Sequence, residues 1–130
     1  MPYMKMVHQT DPRDEIIKKI GNLDGIEIFN NQLLVGIYIR PEKTKGGIII
    51  TDQSRDEDKF QGKVGLVLKK GPDAFVDESG KWFKGMDVEV GDWIVLRPSD
   101  GWALNIHGVE CRLIEDTLVR IRIPEPDNVW

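Results

Sequence analysis

His107 and Cys111 stand in a His-x-x-x-Cys spacing, and both side-chain types can ligate zinc. Two ligands do not make a zinc site, the residues between them read as a strand, and Cys111 has no second cysteine to pair with, so it is expected in the core. The other histidine, His8, lies near the start of the chain and supports no Ser-His-Asp or Cys-His arrangement. Gly36, Gly46 and Gly47 lack the spacing and the helix of a phosphate-cradling loop. No enzyme, metal site or bound cofactor is therefore expected. The chemistry left is adhesion: Gly46-Gly47-Ile48-Ile49-Ile50 sets three aliphatic side chains in a row behind a glycine pair.

The flanks of that block are polar. Asp52, Arg55, Asp56 and Glu57 follow it and cannot enter a core with the isoleucines. About twenty residues separate the apolar run that ends at Ile39 from the one that restarts at Phe60, a length at which a loop is expected to be functional or disordered. Periodicity alone leaves two readings open, an ordinary core strand at Ile48–Ile50 or a long loop, about 41–59, with an apolar tip.

The surrounding chain predicts a small β domain. Its 130 residues are enough for one core but not for two. With 18 Lys and Arg against 22 Asp and Glu, the net charge of −4 offers no basic excess for a phosphate backbone, so nucleic-acid binding is not expected. The longest uncharged run, Ile28 to Ile39, is broken by Asn30, Asn31, Gln32 and Gly36 and falls well short of the ~18 apolar residues of a membrane span. Nothing resembling a leader opens the chain at Met1-Pro2-Tyr3, and a reducing cytoplasm is the expected setting.

Taken in order, residues 1–24 read as an extension with one short helix: Asp11-Pro12 starts it, Asp14 and Glu15 suit its first turn, and Ile16, Ile17 and Ile20 share a face before Gly21. From 25 to 123 the pattern is β. Ile26 and Ile28 alternate with Glu27, Asn30-Asn31 turns, and Leu33 to Ile39 is dense in aliphatics up to Pro41. Phe60, Val64, Leu66 and Leu68 alternate with Gln61, Lys63 and Lys69, as in a strand with one wet face. Residues 74–84 read as a hairpin turning at Glu78-Ser79-Gly80, with Asp77, Glu78 and Lys81 at its tip. Val88 and Val90 flank Glu89, Gly91-Asp92 turns, and Trp93 to Leu96 reads as a covered strand. Val109, Cys111 and Leu113 alternate with Glu110 and Arg112 after a His107-Gly108 turn, and Val119, Ile121 and Ile123 alternate with Arg120 and Arg122. The Pro-rich tail, 124–130, is expected to be extended and loosely held.

Gly46-Gly47-Ile48-Ile49-Ile50, about six residues after a strand ending Ile-Arg-Pro, resembles the mobile loop of the GroES-type co-chaperonins, and Val90-Gly91-Asp92 before Trp93–Leu96 is similar to a later strand of that family. The resemblance covers roughly Gly25 to Ile123 and implies an all-β fold, a GroES-like small β-barrel with a long mobile loop, a roof β-hairpin and a short N-terminal helical extension. It further implies that Gly46 to Ile50 dock on a GroEL-type chaperonin ring, which itself binds and hydrolyses ATP. The roof hairpin would carry Asp77, Glu78 and Lys81 over the ring axis, Trp102 would face a chamber holding an unfolded client protein, and Val119, Ile121 and Ile123 would pair with Ile26 and Ile28 of an adjacent subunit in a seven-membered ring. The N-terminal extension, the longer polar segment after Ile50, the enlarged hairpin and the tail depart from the ordinary bacterial pattern and resemble phage-encoded members.

Two other readings stay open on the residues. One is a GroES-like structural or adaptor protein, for instance in a viral particle, docking another partner through Ile48 to Ile50. The other is a barrel binding single-stranded nucleic acid through Trp82, Trp93 and Trp102, against which the acidic balance argues.

Overall fold

The computed structural model describes residues 6, 8, 10–41, 47, 49 and 51–129, with the backbone alone at 54 and 59–61. Among the described residues two α-helices and six strands follow in the order α1 (Pro12–Ile20), β1 (Gln32–Ile37), α2 (Asp52–Gln61), β2 (Val64–Lys70), β3 (Trp93–Val95), β4 (Trp102–Ile106), β5 (Val109–Glu115) and β6 (Ile121–Ile123). The strands form one antiparallel sheet in the order β4-β5-β1-β2-β3-β6.

β1 is central, and its sequence shows why. Leu33, Leu34, Val35 and Ile37 are all buried, because side chains alternate between two faces and both faces are covered. Leu33, Val35 and Ile37 join Val67, Val88, Ile94, Leu96, Ile114 and Val119 in one cluster. Leu34 and Tyr38 join Val64, Leu66, Leu68, Trp93, Val109, Cys111, Ile123 and Ile20 in the other. The single core expected from chain length is thus two clusters, one on each face, and the second is completed by residues outside the β segment: Ile16, Ile20 and Leu23 before it and Val129 after it.

α1 forms where the capping residues require it. Asp11 accepts a hydrogen bond from Arg13 N at 2.8 Å, Pro12 opens the first turn, and Gly21, at φ 71°, closes the helix with its N–H on Ile17 O. Nine residues would not hold a helix alone. Burial of Ile20, contributing about 1.5–3 kcal/mol, and contact of Ile16 with the sheet fix it in place. A side chain on Gly36 would put Cβ 3.0 Å from Ile16 Cγ2, so that glycine is what lets the helix sit so close. Ile17, expected on the same face, is exposed. At the far end of α1, His107 Nδ1 donates to the Ile20 carbonyl at 2.6 Å, satisfying one of the acceptors a helix leaves open. His107 (φ 52°) and Gly108 (φ 85°) form the two-residue turn between β4 and β5, whose left-handed backbone matches the twist of the strands.

Several expectations are corrected. The polar stretch after Ile50 is not loop but α2, which also takes in the backbone of Phe60 and Gln61, so strand β2 starts later, at Val64. Both faces of β2 are covered rather than one. Residues 25–29 form no strand within the single chain, although Ile26 and Ile28 are half-buried and Glu27 and Phe29 exposed in the alternation expected of one. Residues 74–84 form successive turns without paired strands. Val88 is buried but Val90 exposed, because the chain turns at Gly91 (φ 97°) and not along a strand. On β5, Arg112 is buried and its guanidinium donates to the carbonyls of Pro98 and Asp100. The tail is not loose: Pro126–Asn128 form a turn of 3-10 helix with Pro126 buried, capped by reciprocal bonds between Glu125 and Asn128.

Candidate functional site

The residues singled out for adhesion lie between β1 and α2. Gly47 and Ile49 are described, and both are exposed, Ile49 at 69%. Gly46, Ile48 and Ile50 lie outside the described residues. A large aliphatic side chain held largely in water is the observation that most directly marks a contact surface here.

Sequence reasoning missed how the loop is held at its two ends. The carboxylate of Asp58, in α2, receives Arg40 Nε at 3.0 Å, Arg40 Nη2 at 2.9 Å and the Arg40 backbone N–H at 3.0 Å. One turn earlier, Arg55 Nε donates to the Arg40 carbonyl at 3.1 Å. Asp58 is 1% exposed, which a carboxylate tolerates only with such partners. Gly62 ends the helix against the sheet; a Cβ there would lie 2.6 Å from Asp58 O and 2.8 Å from Ile37 Cγ2. The available signal was the absence of Gly and Pro from Asp52 to Gln61 with cation and anion three apart at Arg55 and Asp52, a helical spacing.

The acidic segment expected over a ring axis is organised by Asp77. Its carboxylate accepts from the Ser79 hydroxyl and from the backbone N–H groups of Trp82, at 3.1 Å, and Phe83, at 3.3 Å, while its carbonyl accepts from Gly80 N. The Ser79 bond, aided by the backbone amides of Phe83, Gly80 and Lys81, outweighs desolvation and holds the Asp77 carboxyl below the usual carboxylate range. Glu78 and Lys81 are exposed. Trp82 and Val76 are exposed as well, and Phe75 and Phe83 meet edge-on with centroids 5.6 Å apart beneath them. The base of this segment is tied to the sheet by Asp116, buried at 2%, which accepts from Phe75 N at 2.9 Å and Asn31 Nδ2 at 3.0 Å.

Trp102 begins the edge strand β4 and is 67% exposed, so it is no core side chain. The turn before it is set by Arg97 and Asp100, paired at 3.0 Å. Burial raises the Asp100 pKa, but the Arg97 hydrogen bonds outweigh it and leave the carboxyl below its ordinary value.

At the opposite edge of the sheet, β6 pairs with β3 on one side and, among the described residues, with no strand on the other. Of the residues expected to meet a neighbouring subunit there, Ile121 is 51% exposed, whereas Val119 and Ile123 are committed to the two core clusters of their own chain. Cys111 is buried, and burial pushes its thiol up to about 11, as for an inert core cysteine. Among the described residues no three His, Cys, Asp or Glu side chains gather as metal ligands, and no helix is long and apolar enough to cross a membrane.

Comparison with known proteins adds a family pattern. The pattern described as chaperonin 10 Kd subunit matches residues 25–119. The chain is 33% identical over 89 residues to co-chaperonin GroES 5 of Rhizobium meliloti, covering 68% of this chain and 80% of that protein. It is 32% identical, with the same coverage, to co-chaperonin GroES 2 of Mesorhizobium japonicum. To the co-chaperonin GroES of Pelagibacter ubique it is 30% identical, covering 68% of this chain and 86% of that one.

Proposed function

The chain belongs to the chaperonin 10 Kd subunit family, whose GroES-like small β fold it shares, and from that premise we propose that this co-chaperonin closes the chamber of a GroEL-type chaperonin as a ring-shaped lid. The observation that carries the reading is Ile49, exposed on a loop whose two stems are fixed to the sheet. Gly46, Gly47, Ile48, Ile49 and Ile50 are the docking residues. Burying three isoleucines on a partner contributes about 4.5–9 kcal/mol. Ordering each loop residue costs about 1–2 kcal/mol of backbone entropy, so one loop alone binds weakly.

Several loops on one rigid ring make each later contact intramolecular and multiply affinity by about 10² to 10⁴. The lid is then firm while the partner is in its ATP-bound state and releasable once the partner has hydrolysed its nucleotide. The chain itself catalyses nothing in this cycle. Seven copies assemble through the outer edge of β6, which takes the 25–29 segment of a neighbour; a strand edge left open on one side and an extended, alternating, unpaired segment on the other support that pairing. Trp102 faces the enclosed client, and the turns around Asp77, Glu78 and Lys81 line the orifice. The cytoplasm is the compartment in which such a partner and client meet.

Native mass spectrometry with and without a chaperonin and ATP tests this. A closed ring that joins the chaperonin only with nucleotide, and that Ile49→Asp leaves closed but unable to join, is the expected result. Loss of the ring itself in Ile49→Asp would make these isoleucines structural and overturn the docking role.

A further inference from the structure

A loop that grips a partner faces two opposed demands. It must be free enough to find its site, yet every residue left free in the unbound ring has to be ordered on docking. Sequence alone assigns about twenty residues to this loop. The structure divides them: α2 takes Asp52 onward, and its side chains reach back across the loop to the residue where β1 hands over to it. The three Arg40 donors on one Asp58 carboxylate are directional, with two from the guanidinium fork and one from the backbone, so they fix both position and orientation. Arg55 adds a fourth bond to the same residue, from the other side of its peptide.

From this geometry we infer that Arg40, Asp58 and Arg55 form a stem clamp that holds the end of β1 and the start of α2 together and sets the direction in which Ile49 is offered to the chaperonin. These are positioning residues, and the inference rests on the docking role proposed above. The clamp ties Asp52–Gln61 to the end of β1, so these residues of the twenty the sequence suggests are already ordered before binding. Because the loop occurs once per subunit, any gain in docking is repeated around the ring.

Asp58→Asn keeps the shape of the side chain but removes its charge and one acceptor, and Arg55→Ala removes the outer bond to Arg40 together with the exposed Arg55–Asp52 pair. Both are compared with the unaltered full-length ring by native mass, by hydrogen exchange, and by chaperonin capture in ATP, with Ile49→Asp as the docking control. Asp58→Asn is expected to keep the ring and the protection of β1 and β2, to lose protection over 52–58, and to weaken capture by about tenfold or more. That factor follows because re-ordering even one or two released residues per loop is of that size. Arg55→Ala should shift both readouts in the same direction by less, which keeps the test open if Asp58→Asn does not assemble. Capture by both variants as tight as that of the unaltered ring, with Ile49→Asp still blocking it, overturns the clamp and leaves the docking role standing. A drop in capture matched by equal loss of protection across β1 and β2 also overturns it, since Asp58 would then only hold the fold together. If the unaltered ring is not captured at all, the docking role fails and the clamp's effect on it fails with it.

Discussion

Tyr38 Oη donates to Asp127 Oδ1 at 2.6 Å, joining the end of the central strand to the C-terminal tail 89 residues later. The other oxygen of Asp127 receives His8 Nε2 at 2.9 Å and Met6 N at 3.2 Å, so a single carboxylate binds both chain ends to the sheet. Tyr38 itself is buried edge-on to Trp93, and burial, followed by the Asp127 bond, raises its hydroxyl pKa well above the ordinary value. Its proton therefore stays available for this bond throughout the range in which the fold survives. Tyr38→Phe should lower unfolding free energy by about 1.5–3 kcal/mol, the usual worth of a hydrogen bond to a charged group, read from the urea midpoint. It should also speed amide exchange over 125–129. An unchanged tail would mean that the His8 and Met6 bonds to Asp127, with the packing of Pro126 and Val129, hold it without Tyr38.

At the far sheet edge, the exposed and the buried isoleucines of β6 make opposite predictions. Ile121→Asp changes a side chain that is half in water in the single chain, so each subunit should stay folded while native mass drops from ring to monomer. Ile123→Asp buries an unpaired charge in the cluster with Trp93 and should unfold the subunit. A ring that survives Ile121→Asp would remove this edge from the assembly.

How much of this the sequence made legible depended on where each side chain's partners lie. Local signals read well: Asp11-Pro12 with Gly21 marks α1, and His107-Gly108 marks the hairpin, because caps and turns are set by neighbours within a few residues. β1 itself was legible in its dense aliphatics, but its burial on both faces was not read from them. What was not legible depended on distant partners. The polar run at Asp52–Gln61 has little apolar periodicity, and its helix is held by Arg40, from before the loop. Arg112 alternates like a surface residue, yet it is drawn inward by carbonyls at Pro98 and Asp100. The tail reads as loose because nothing within it shows that Asp127 would meet Tyr38 and His8. The paired strands expected at 74–84 were displaced by an Asp77 side chain that takes up the amides a ladder would use.

That displacement has a pH signature. The Asp77 carboxyl is held below its ordinary value chiefly by the Ser79 hydroxyl and then by backbone amides. A depressed folded-state pKa adds stability that is fully present above the unfolded value, near 3.8, and is lost as pH falls through the folded value. The turn should therefore be intact at neutral pH and loosen only below about pH 4. The amide signals of Trp82 and Phe83 should shift together in that window, and Asp77→Asn should weaken their protection at neutral pH. Titration of those signals near pH 6 to 7 would point to another group.

Two glycines separate backbone strain from steric conflict and bear on Trp102. Gly85 has φ 82°, and a Cβ added there would meet nothing within 4 Å, so Gly85→Ala should cost only the left-handed backbone penalty, about 1 kcal/mol. Gly101 has φ 76°, and a Cβ there would lie 2.5 Å from both Ile114 Cγ2 and the Leu113 carbonyl. Gly101→Ala adds overpacking to the same strain and should cost about 2–4 kcal/mol in thermal or urea unfolding. The conflict falls on β5 at the residue that pairs with Trp102, so relief requires the start of β4 to move away from Leu113. A ring of Gly101→Ala that still assembles should therefore show a changed Trp102 environment in fluorescence, with Trp82→Phe and Trp130→Phe in the background so that buried Trp93 is the one other indole left, while Gly85→Ala leaves it unchanged. Equal destabilisation by the two substitutions would mean that the sheet gives way around Gly101 and that the turn does not fix where Trp102 stands.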